Sequence, residues 1–91
     1  MKTYLILISG QVQGVGFRYT TCNLANHLQV TGTVENLSNG QVKIIVQGPI
    51  SDLKKFSKQL QQFPNPNAKI TKIQRTLINS DQVFSNFKVK F

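Results

Sequence analysis

Three glycines, Gly10, Gly14 and Gly16, crowd the stretch Gly10-Gln-Val-Gln-Gly-Val-Gly-Phe-Arg18, and an arginine closes it. Glycine lets successive backbone N–H groups turn into one concavity, and a helix starting just beyond adds the positive end of its dipole. The planar guanidinium of Arg18 offers two parallel N–H bonds to phosphate oxygens. Backbone donors plus one arginine suffice to hold a phosphate dianion, so the segment reads as an anion-binding loop. Taken alone, it reads equally well as a plain strand-to-helix connection with Arg18 in solvent. Two familiar phosphate loops are excluded. A Walker loop ends in Gly-Lys-Ser/Thr, which Gly16-Phe17-Arg18 does not supply. The dinucleotide fingerprint needs Gly or Ala at Tyr19 and a parallel βαβ unit, and neither is present.

The other reactive side chains are few. Asn36 lies near a turn, where asparagine commonly bonds its own backbone. His27 has no partner in reach and reads as a surface or boundary residue. Cys22 is the lone cysteine, a packed thiol rather than a nucleophile, and no Cys/His cluster has zinc-ligand spacing. No metal or cofactor is implied, and a reducing, cytoplasmic setting suits the single thiol. Eleven Lys and Arg face three acidic residues, a formal charge of +8 that draws anionic partners. Charge alone does not choose between a phosphorylated metabolite, nucleic acid and an anionic membrane. The apolar run Tyr4–Ile8 falls short of a signal peptide's roughly 7–15 residues and of the ~20 of a membrane span. No membrane association is expected.

The elements that must position these residues follow from periodicity. Ninety-one residues with 40% hydrophobic content make one domain, residues 1–91, with a core of its own. Tyr4–Ser9 reads as a mostly buried strand. A helix follows from about Tyr19 to Gln29, burying Thr21, Leu24, Ala25 and Leu28, with Thr20 or Thr21 as its cap. Phe17 anchors the loop to the core. Gly32 ends the helical pattern, Thr33–Leu37 resumes as strand, and Ser38-Asn39-Gly40 signals a hairpin in which Asn-Gly takes positive φ. Val42, Ile44 and Val46 then share one face of a strand. Ser51 caps a second helix buried through Leu53, Phe56, Leu60 and Phe63, with Asp52 in its first turn. Lys54, Lys55 and Lys58 form its solvated face. Ile70–Ile78 and Phe84–Phe91 complete the sheet, although the Ile70 to Ile73 spacing breaks strict alternation. The fold class is α+β: a ferredoxin-like βαββαβ sandwich with an additional C-terminal strand. Two helices pack on one face of a mainly antiparallel sheet.

Two separated motifs match a known family. Gly10-x-Val12-Gln13-Gly14-Val15-Gly16-Phe17-Arg18 resembles the first acylphosphatase signature. Gly32-Thr-Val34-Glu-Asn36-x-x-x-Gly40-x-Val42, with Gly48 six positions on, resembles the second. The resemblance covers essentially the whole chain, and the element order agrees with it. It implies hydrolysis of acyl phosphates without metal or cofactor; inhibition by inorganic phosphate is expected, and a monomer is the default state. Residue by residue, it implies that Gln13, Gly14, Val15, Gly16, Phe17 and Arg18 bind the phosphoryl group. Arg18 and Asn36 are the implied catalytic residues, Asn36 orienting the attacking water. Thr33 and Glu35 depart from the family pattern. Strand alternation sets both opposite Asn36, so altered packing or surface charge is expected rather than lost chemistry. Nothing near the loop reads the acyl portion, which points to loose selectivity.

Two rivals share the element order. An RRM would present aromatic residues on its third strand, and Val42–Gln47 has none, so nucleic acid is not an expected partner. Acylphosphatase-like domains also open larger carbamoyl-transfer maturation proteins, which continue into zinc-binding cysteine pairs. The present sequence ends at Phe91, so a free-standing enzyme is the expectation.

Overall fold

The computed structural model describes residues 1–62 and 65–91. Alternation and helical spacing produce seven elements: β1 (Lys2–Gln11), α1 (Phe17–Leu28), β2 (Thr31–Asn36), β3 (Val42–Gly48), α2 (Ile50–Gln62), β4 (Lys69–Ile78) and β5 (Phe87–Lys90). The sheet runs β4-β1-β3-β2-β5, antiparallel throughout except where β5 lies parallel to β2. This is the ferredoxin-like arrangement, with the C-terminal strand added at the β2 edge. Ile6, Ile8, Val34, Val42, Ile44 and Val46 point from the sheet into one core. Phe17, Leu24 and Ala25 of α1 and Leu53, Phe56 and Leu60 of α2 close it from the other side. Phe63, expected on that stripe, lies outside the described residues. The opposite sheet face is partly polar, and there Glu35 pairs with Lys43 at 3.8 Å across the β2–β3 ladder.

The broken alternation of β4 has a simple cause. Ile73 stands opposite Ile8 and Lys72 opposite Ser9, but Ile70 stands opposite Gly10. Thr71 is therefore an extra residue, a β-bulge, and it lets Ile70 and Ile73 both pack toward the core. Gly10, at φ 127°, permits the close approach: a Cβ there would run into the Lys69 carbonyl.

Several boundaries differ from expectation, each for a local reason. Helix α1 begins at Phe17, and Gly16 precedes it in the left-handed region with no side-chain cap. Neither Thr20 nor Thr21 caps it; the Thr20 hydroxyl donates to the Phe17 carbonyl at 3.0 Å within the helix. The helix ends on Gln29, at φ 60°, whose N–H returns to the carbonyls of Ala25 and Asn26. Strand β2 starts at Thr31 rather than Thr33, so Gly32 lies inside it, tight against the Ile45 carbonyl. In the hairpin Gly40 takes the positive φ, at 94°, and Asn39 does not. Asn39 uses its side chain instead, accepting from the Gln41 N–H at 3.0 Å. Helix α2 starts at Ile50, so Ser51 is inside its first turn, and the Pro49 carbonyl accepts from Asp52 and Leu53. The final strand spans only Phe87–Lys90, and Phe91 is fully exposed.

Candidate active site

Residues 12–16 join β1 to α1, pinned at both ends by Val12 and Phe17, which are 1% and 2% exposed. Between these anchors Gly14 (φ 74°) and Gly16 (φ 80°) sit in the left-handed region with open space where a Cβ would stand. The glycines are there for backbone conformation, and they leave the loop backbone accessible. Phe17, Arg18 and Tyr19 follow as the first turn of α1, where N–H groups have no intrahelical acceptor and the dipole is positive. Arg18 is half-buried, its guanidinium carbon 5.1 Å from the centroid of the Phe91 ring. It makes no ion pair with any carboxylate among the described residues. Its charge lies over the ring of the exposed Phe91 and is not neutralised by a carboxylate.

Asn36 ends β2 on the same face as Val34, toward the helices. Its Oδ1 is buried and has no hydrogen-bond partner among the described residues. A buried acceptor without a donor is costly by about 1–3 kcal/mol, so such an atom marks a place where something else donates. Arg18, Asn36, Gly14, Gly16 and Phe17 line one cavity of about 170 Å³. Thus five of the residues anticipated from sequence meet at one surface. Gln13 and Val15 turn their side chains elsewhere. Gln13 Nε2 donates to the carbonyls of Leu37 and Gln41, and Val15 packs on the core while its carbonyl accepts from Asn65. Their backbone alone is left to face an anion.

Tyr19, Val89 and Phe91 also line the cavity and were not anticipated. Tyr19 was hidden in the helical pattern. Val89 and Phe91 reach the loop only because β5 pairs with β2, an adjacency that the Phe87, Val89, Phe91 alternation does not reveal. Thr33 and Glu35 lie on the other face of β2, away from the cavity. Cys22 is a half-buried free thiol, with Sγ 3.5 Å from the Phe87 carbonyl, and His27 is exposed. Among the described residues no three His, Cys, Asp or Glu side chains are grouped to hold a metal ion. Nor is any described helix long and apolar enough to cross a membrane.

Known proteins resemble the chain in sequence and in fold. The family model for acylphosphatase matches residues 4–89. An acylphosphatase from Lactobacillus johnsonii is 37% identical over 91 residues, the full length of both chains. One from Ligilactobacillus salivarius is 47% identical over 73 residues, 80% of this chain and 81% of its own. The crystal structure of acylphosphatase from Bacillus subtilis superposes with a TM-score of 0.93 at 33% identity, covering all of both chains. The structure of HypF from T. kodakarensis contains a similar unit, with a TM-score of 0.89 and 32% identity over all of this chain but 12% of that one. With the sequence match spanning both motifs and the fold matching end to end, the chain belongs to the acylphosphatase family of enzymes.

Proposed function

We propose that this chain, acting as a single domain over residues 1–91, hydrolyses the carboxyl–phosphate bond of acyl phosphates to a carboxylate and inorganic phosphate. The observation that carries this reading is the convergence of Arg18 and Asn36 on one cavity beside the glycine loop. The phosphoryl group lies against backbone N–H groups of residues 13–18, and the guanidinium takes its outer oxygens. Asn36 Oδ1 accepts a hydrogen bond from water and turns a lone pair of that water toward phosphorus, while Nδ2 donates to a phosphoryl oxygen. The new P–O bond forms as the bond from phosphorus to the acyl oxygen breaks, and its electron pair leaves on the carboxylate. The amide is a weak base, so the water proton passes to a phosphoryl oxygen.

No step calls for a metal, a nucleophilic side chain or a general acid. The departing carboxylate has a conjugate acid of pKa roughly 4, so it leaves unprotonated. Positioning and charge stabilisation supply the catalysis. Tyr19, Val89 and Phe91 border the space for the acyl portion and carry no charge to select it, in keeping with loose selectivity. Every named group comes from one chain, so a monomer is a complete unit, and a reducing cytoplasmic setting suits the free Cys22 thiol. Purified protein should hydrolyse benzoyl phosphate in EDTA, with inorganic phosphate as a competitive inhibitor. Folded protein with no turnover above the spontaneous rate would end this reading.

A further inference from the structure

The anion-binding loop and the hairpin that carries Asn36 are separate segments. The β1–β3 ladder stops at Ile8 opposite Val42, so beyond that point other bonds must fix their spacing. Gln13 supplies them. Its Nε2 donates to the Leu37 carbonyl at 2.8 Å and to the Gln41 carbonyl at 2.9 Å. Carbonyls only accept, so the nitrogen of the amide must face them, and both of its hydrogens are used. The two acceptors flank the site. Leu37 follows Asn36 in the chain, and Gln41 precedes Val42, the ladder partner of Asn36. The Leu37 N–H also donates to the Gln41 carbonyl at 2.8 Å, so the same pair closes the turn. Gln41 Nε2 in turn donates to Ser9 Oγ on β1 at 3.1 Å.

We infer that Gln13 is a positioning residue: its amide fixes the distance between the phosphate-binding loop and Asn36, and the aim of the attacking water depends on it. The inference rests on the water-orienting role proposed for Asn36. The Gln13 side chain is committed to the hairpin and does not bind phosphate. A shift of about 1 Å in a reacting group costs roughly 100-fold in rate, which makes a strut between two halves of a site consequential.

Gln13→Met keeps the length of the side chain and removes both donors. With benzoyl phosphate its kcat should fall about 10- to 100-fold, while the inhibition constant of inorganic phosphate moves less than about threefold. Placed on Asn36→Ala, the same substitution should lower the remaining rate less than about twofold, because its effect passes through Asn36. Circular dichroism and urea midpoints report whether the variants fold. If Gln13→Met does not, Gln13→Asn keeps the amide one methylene short and reads the same split. Wild-type kcat in the folded variant, an equal loss in both backgrounds, or weakened phosphate binding matching the loss of rate would each overturn the inference. A wild-type protein without turnover would fail differently, since it removes the hydrolytic reading itself.

Discussion

At the scale of single residues, the proposed mechanism divides the work between Arg18 and Asn36. Arg18 carries a charge that no carboxylate neutralises among the described residues, which supports the proposed role of binding and stabilising the phosphoryl group. Arg18→Gln should therefore weaken inhibition by inorganic phosphate and lower kcat by about 100- to 1,000-fold, the range for losing one charge-stabilising donor. Asn36 presents an acceptor that the protein leaves unpaired, which suits water better than an anion. Asn36→Ala should lose a similar factor of about 100 in kcat and keep phosphate inhibition within about threefold. Steady-state rates and phosphate inhibition constants for the two variants check the division, and equal effects on both constants in both variants would contradict it. That Arg18 and Asn36 meet at one cavity was legible only through the two motifs of the resemblance, since the residue type of Asn36 alone suggested a turn. The side-chain direction of Gln13 was not. It depends on where the hairpin carbonyls fall, and that follows from tertiary register.

Glycines decide the elements, and they do so in two ways. Gly16 is needed for its φ of 80° and has open space around it, whereas Gly32 is pressed against the Ile45 carbonyl inside the sheet. Gly16→Ala should cost about 1–2 kcal/mol for left-handed backbone, with a clear loss of activity as the loop relaxes. Gly32→Ala must move a strand, so its cost should be about 3 kcal/mol or more. Urea denaturation and kcat on both variants test this; a Gly32→Ala protein as stable as Gly16→Ala would contradict the packing account. Sequence marked both glycines and the helix end near Gln29, which stops it in a conformation that side chains rarely adopt, but left Gly32 outside the strand that contains it. The bulge at Thr71 was visible only as a defect in alternation; the partner strand explains it. Strand faces and helix stripes were readable throughout, since periods of two and 3.6 are properties of the chain itself.

At the scale of the whole molecule, the topology assembles the site from three distant parts. The β1–α1 connection brings the loop, β2 ends at Asn36, and β5 lies parallel to β2 so that Val89 and Phe91 complete the wall. Element order was legible from pattern, and the ferredoxin-like class carries the order β4-β1-β3-β2 with it; the place of β5 beside β2 was not legible, and with it went Val89 and Phe91 as neighbours of Arg18. A formal charge of +8 gives the whole molecule a field that favours arriving anions. All of this converges on one claim: a loop holds phosphorus still while Asn36 delivers water to it. Hydrolysis of benzoyl phosphate in EDTA, in water enriched in heavy oxygen, tests that claim most directly. Attack at phosphorus predicts the label in inorganic phosphate and none in benzoate beyond the spontaneous background. Label appearing in benzoate would mean attack at the acyl carbon and would contradict the account.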